Sequence, residues 1–238
     1  MKFQGQLMYL IMEHLDKRSL ENGVLSFTIN DHAADFGPVE YFVVTGLPWG
    51  EMEELRVSSE QHHNIFQRKC DLRLSDLEKA LTDTCKEDNG SGDLVLKLAY
   101  LVCVYGLLLS KDRKGKKLDI QYLHLIDDLS RFTSYPWGRI SYEYLLHGVI
   151  TARENMDRLK QKSNERPAFN VNGFTYALQG CAFEVFPSVG NHCGSLVDEN
   201  SHLLPRILRW STSTFFQYRD FVRFFQTGVE FKLVSLKT

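Results

Sequence analysis

Apolar positions along this chain recur mostly at helical spacing. Residues 7–15 carry them at three- and four-residue intervals and predict a helix; Asn22-Gly23 then marks a turn into residues 24–29, which alternate in part, end β-branched and predict a short strand. Residues 38–45 predict a compact buried helix, with Pro38 in its first turn and Gly46 as its stop. Ser75-Asp76-Leu77-Glu78 has the spacing of a capping box and predicts a helix to about Cys85. A polar, glycine-bearing stretch over 86–92 follows, and Asp93 is placed to cap an apolar helix that runs to Leu109.

Beyond a basic loop at 111–117, residues 118–132 again show helical spacing and stop ahead of Pro136, which steers the residue before it out of the α region. Residues 137–162 predict the longest helix. Its first half is aromatic and aliphatic and its second half charged, so one end belongs in a core and the other projects. Asn172 is placed to cap a helix over 174–186 that Pro187 halts. Residues 188–201 read as loop, 203–210 as extended, 215–226 as a helix and 229–234 as an alternating strand. The expected fold class is predominantly α-helical with a few short β-strands.

Composition adds bounds to this picture. With 238 residues, 43% of them hydrophobic, the chain can build one substantial core, and one compact domain is expected, with a possible lobe boundary near 86–92. Five cysteines, an odd number without framework spacing, and no leader pattern predict a reducing compartment. The longest apolar run, 94–109, contains Lys97 and falls short of the roughly 20 residues a bilayer requires, so it reads as a buried helix.

The net charge of −2 hides a division. Residues 1–100 hold 10 Lys and Arg against 17 Asp and Glu, whereas residues 101–238 hold 18 against 13. Such asymmetry points to an anionic partner for the basic half. Three groups there have the composition a nucleic acid demands: several cations for phosphates and one or two arginines to read bases. Lys111, Arg113, Lys114, Lys116 and Lys117 form a loop suited to phosphates. Arg153, Arg158, Lys160 and Lys162 share faces of one helix end. Arg206 and Arg209 precede Trp210, and Arg219 and Arg223, four apart, oppose Phe216, Phe221, Phe224 and Phe225 on one helix, the arrangement nearest to a recognition helix.

Other chemistry is weakly signalled. His62-His63, Cys70, Cys85 and His192-Cys193 lack the closely spaced pairs of a zinc site, so no metal or cofactor is expected. Cys181 or Cys193 with His192, His202 and carboxylates sit in no nucleophile elbow or phosphate-binding loop, and no catalytic activity is expected. At the junction 135–142 (YPWGRISY), Trp137 reads as a core anchor and Arg139 as a partner for carbonyls or for Asp127 or Asp128; the alternative sets both against a phosphate or base.

That junction, together with residues 36–47 (FGPVEYFVVTGL) and 173–180 (GFTYALQG), resembles a plant domain of unknown function carried by transposon-encoded proteins, over about 27–210. The family stands in front of Ulp-type SUMO-protease domains and in the VANC anti-silencing proteins of VANDAL, Mutator-like elements. The resemblance implies a nuclear protein that binds double-stranded DNA in a sequence-specific manner and counters methylation of its own element, with partners in chromatin silencing. Its alternative implication is a protein-interaction module that positions a SUMO protease or transposase.

Overall fold

The computed structural model describes residues 1–16, 22–29, 32–53, 55, 72–86, 92–110, 118, 120–161, 170–197 and 204–226. The chain is predominantly helical, with two small antiparallel two-stranded sheets. It divides into two compact units, one made of residues 1–47 and 142–238, the other of residues 48–141.

The first unit begins with α1 (Gly5–Glu13), whose Leu7, Met8, Ile11 and Met12 are buried at the spacing the sequence predicted. Strands β1 (Leu25–Ile29) and β2 (His32–Phe36) pair with Leu25 opposite Phe36 and Phe27 opposite Ala34. Leu25, Phe27 and Ile29 fill one face, as period-two alternation requires. Helix α2 (Pro38–Thr45) matches its predicted limits. Glu40 Oε2 accepts the Gly37 N–H at 2.9 Å, and Gly46 turns the chain out with φ 65°, its N–H reaching Phe42 O at 2.8 Å.

Tyr142 locks these pieces together. Its hydroxyl donates to Gly23 O at 2.7 Å and lies 3.1 Å from Phe36 O, and its ring meets Tyr41 and Phe36 edge-on. Burial pushes this phenol above its ordinary range.

Helix α7 (Thr175–Val185) is buried along most of its length, and Pro187 ends it as predicted. Of the loop predicted at 188–201, residues 198–201 lie outside the described residues, and the first part is instead a second helix, α8 (Pro187–Cys193), followed by β3 (Gly194–Leu196). Its composition, with Gly190 and Asn191, conceals it: Gly190 leaves room for the Trp210 ring, which a Cβ there would meet at 2.5 Å. The segment predicted as extended is a 3-10 turn over Arg206–Arg209 that leads into β4 (Trp210–Thr212), paired with β3. The last predicted helix starts later, as α9 (Tyr218–Phe221), and widens into a π turn over Val222–Gln226. The strand predicted at 229–234 lies outside the described residues.

Gln4 and Gln179, both fully buried, were not singled out by pattern. The Gln4 N–H donates to Gln179 Oε1 at 2.8 Å, Gln179 Nε2 to Lys2 O at 2.9 Å, Gln4 Nε2 to Thr214 O at 2.9 Å, and the Phe216 N–H to Gln4 Oε1 at 2.7 Å. A buried amide is tolerable when its donors and acceptor are satisfied in this way.

In the second unit, α3 (Leu74–Lys86) begins one residue before the predicted cap at Ser75, because Asp76 Oδ2 accepts the Arg73 N–H at 3.0 Å. Helix α4 (Gly92–Cys103) packs on α3 and opens into a π turn over Val104–Leu108, where Ser141 Oγ donates to Leu108 O at 3.0 Å. The stretch predicted as one helix over 118–132 is two. A 3-10 segment, Ile120–Asp127, stops at Asp128, whose side chain accepts the Arg131 N–H and starts α5 (Leu129–Ser134).

Helix α6 (Trp137–Lys160) contributes residues 137–141 to this unit and the remainder to the first. Residues 87–91 of the predicted lobe boundary lie outside the described residues.

Candidate nucleic-acid interface

The cations predicted to form an interface separate into those bound inside the first unit and those presented outward. Arg153, at 14% side-chain exposure, donates from Nη1 to Met12 O, while its Nε lies 3.4 Å from Asp157 Oδ1. Lys160 Nζ sits 2.7 Å from Glu13 Oε1 and over the Tyr9 ring. Arg206 Nη1 reaches Glu184 Oε2 at 3.4 Å, and the same carboxylate accepts Trp210 Nε1–H at 2.8 Å. These three charges are largely neutralised where they stand.

Burial alone would raise the Glu13 carboxyl, but hydrogen bonds from Lys160 and Tyr9 outweigh it and hold the group below its ordinary value. The hydrogen bond to Glu13 in turn raises Lys160. The pair therefore stabilises the fold across neutral pH. Its contribution is lost as pH falls through the lowered Glu13 value or rises through the raised Lys160 value. Lys160→Ala is expected to lower thermal stability only slightly, since a partly exposed ion pair contributes little. A thermal melt of the variant beside the wild type checks this, and a large drop in the midpoint would show that the pair is a principal support of the fold.

The outward cations are Arg158, hydrogen-bonded to Asn155 Oδ1 at 2.7 Å, Arg223, and Arg219, whose side chain is 79% exposed. Arg209 is half-buried and donates from Nε to Leu204 O at 3.3 Å. Arg219 and Arg223 lie on the helical stretch whose Phe221 and Phe224 are buried, at 8% and 7% exposure, just after the buried Phe216 at 2%.

Asp220 fixes the start of that stretch. Its Oδ2 accepts the Gln217 N–H at 2.8 Å and lies 3.2 Å from His192 Nε2, while Arg219 Nε stands 4.0 Å from Oδ1. The His192 ring meets Phe224 edge-on at 5.3 Å, and the Arg223 guanidinium lies over Phe224 at 5.6 Å. Lys111, Arg113, Lys114, Lys116, Lys117 and Lys162 lie outside the described residues, as do the side chains of Phe225, His62, His63, Cys70 and His202.

Burial pushes the Cys193 thiol up to about 12 and raises Cys181 as well, so both are protonated at neutral pH and poor nucleophiles. Among the described residues no group of His, Cys, Asp and Glu could hold a metal ion, and no helix is long and apolar enough to cross a membrane. Trp137, the anchor of the aromatic junction, is 4% exposed and faces inward.

Residues 18–148 match the model of a family described as a domain of unknown function, DUF1985. No curated protein and no solved structure matches the chain. The matched stretch contains the basic residues of 111–117 and ends before Arg153, so the outward arginines at 158, 219 and 223 follow it.

Proposed function

The chain belongs to the DUF1985 family, and from that premise we propose that it binds double-stranded DNA in a sequence-specific manner, as a VANC-like transposon protein that acts in the nucleus against methylation of its own element. The observation that carries this reading is the exposure of Arg219 and Arg223 on a helical stretch whose opposite face is buried phenylalanine. With its side chains a helix is about 10–12 Å across, a fit to the roughly 12 Å width of the major groove. An arginine there can fork onto guanine O6 and N7.

On a duplex chosen by selection from random sequences, affinity is expected to fall steeply with salt, the log–log slope approaching about −0.9 per phosphate contact. Arg219→Ala or Arg223→Ala should each cost about 1–3 kcal/mol on the selected duplex, relax preference at one position and leave a scrambled duplex nearly unaffected. Equal losses on both duplexes would reduce the pair to phosphate contacts. Salt-independent affinity, or equal affinity of the wild type for the two duplexes, would overturn the proposal.

A second reading, a module that positions a SUMO protease or transposase, draws on a different surface. Val39 and Phe42, one turn apart on α2, are 58% and 48% exposed, and Leu204 ahead of the neighbouring 3-10 turn and Leu208 within it are 45% and 58% exposed. Apolar side chains grouped in this way are the mark of a protein-binding patch. Phe42→Glu separates the two readings, because it should leave DNA affinity intact and abolish capture of the protein partner.

A further inference from the structure

Residues 2–4 and 212–219 form a surface that neither the arginine pattern nor the duplex reading explains. Three aromatic rings stand out from it: Phe3 at 40% exposure, Phe215 at 54% and Tyr218 at 47%. Cations stand beside them. Lys2 Nζ lies 5.4 Å from the Phe215 centroid and donates to Ser213 O at 3.3 Å, and Arg219 follows Tyr218 directly. The one carboxylate in residues 211–226 is Asp220, which is 7% exposed and occupied by the Gln217 N–H and His192.

The rings are exposed on a backbone that is held. Gln4 grips the chain on both sides of Phe215, accepting from the Phe216 N–H and donating to Thr214 O, and the Lys2 N–H is bonded to Thr212 Oγ1. Phe216 turns inward to 2% exposure, so the alternation sends Phe215 out. Tyr218 opens α9 directly after the Gln217 cap. Exposing two large rings on fixed backbone, with cations and with no exposed carboxylate among residues 211–226, is a poor arrangement for an idle surface. It matches what a single strand requires: flat π-faces on which unpaired bases stack, and positive charge for the phosphates between them.

We propose that this surface binds an unpaired segment of a nucleic-acid strand, with Phe215 and Tyr218 as stacking rings and Lys2 as a phosphate contact. The inference rests on the nucleic-acid reading above and adds the ligand class, a single strand next to a duplex.

The test uses the full chain and three labelled probes: the selected duplex with blunt ends, the same duplex with a tail of about 12 unpaired nucleotides, a length within the range of known single-strand sites, and the tail alone. The tailed duplex is expected to bind about tenfold or more tighter than the blunt one. Phe215→Ala combined with Tyr218→Ala should remove that gain, leave blunt-duplex affinity unchanged and leave the thermal unfolding curve in place. Phe215→Tyr combined with Tyr218→Phe should keep the gain, because the rings remain. Equal affinity for tailed and blunt duplexes, or a double alanine variant that keeps the gain, would overturn the inference while the duplex reading stands. Binding of the tail alone without the blunt duplex would do the reverse, and binding of no probe would end both.

Discussion

Trp137→Ala should lower the stability of residues 48–141 by about 3–5 kcal/mol, the cost of removing a large buried aromatic side chain. The ring packs against Phe132, Tyr135 and Tyr122 with centroids 5.0, 5.1 and 5.3 Å away, in tilted and edge-on arrangements that gain beyond area burial. Its indole N–H also donates to Phe132 O at 2.7 Å, a carbonyl near the end of α5 that the substitution would leave without this partner. For a unit of this size each kcal/mol moves the midpoint by about 4–8 °C, so thermal denaturation followed by circular dichroism should show a drop of roughly 15 °C or more. Trp137→Phe should recover most of the packing and fail to recover the hydrogen bond, about 1 kcal/mol of it. If Trp137→Ala melts like the wild type and loses only DNA binding, the ring is a contact to ligand and the anchor reading is wrong.

The second large effect is expected at a place where helix propensity argues in the opposite direction. Gly148 sits inside α6, where alanine ordinarily stabilises a helix by about 1 kcal/mol. Here a Cβ would stand 2.0 Å from Asn172 O, and one on Gly173 would stand 2.5 Å from Leu145 Cα, with φ 95° at Gly173 adding backbone strain. Both obstacles are backbone atoms that no rotamer change removes. Gly148→Ala should therefore destabilise by about 3 kcal/mol, and Gly173→Ala by at least as much, since strain at a left-handed position adds about 1–3 kcal/mol to the overpacking. The two sites share one contact, so the double variant should cost less than the sum. Urea denaturation measures all three; a Gly148→Ala variant more stable than the wild type would show that the two segments can part without penalty.

These glycines also show what could be read in the sequence and what could not. Helix α2 was legible to the residue because its limits are set locally, by Pro38 at the start and a left-handed Gly46 at the end. The buried faces of α1 and β1 followed from period alone. Helix α8 was not legible: its seven residues include glycine and asparagine, and it is stabilised by Val189, Cys193 and the Trp210 ring from elsewhere in the chain. The split at Asp128 was visible only in retrospect, since an aspartate inside an apolar period reads equally as a solvent-facing residue or as a cap.

At the candidate interface the identity of the cations was plain and their availability was not. Arg153, Lys160 and Arg206 are taken by Met12 O, Glu13 and Glu184, groups at sequence separations of 141, 147 and 22 residues that no local pattern announces. The exposure of Arg219 and Arg223 was legible, because the phenylalanines on the other face had to be buried. Lys2, Phe215 and Tyr218 went unremarked, since isolated aromatic residues beside polar ones look like partial core.

The Gln4 clamp has a bearing on how this protein is made. Gln4 pairs with Gln179, then with Thr214 and Phe216, across separations of 175, 210 and 212 residues. A ribosome adding about 5–20 residues per second reaches that last partner roughly 10–40 s after Gln4 is synthesised. Throughout that interval the side-chain amide of Gln4 waits without these partners. Closing of the clamp is therefore an event that follows synthesis of residue 216, and local folding of α1 alone does not complete it.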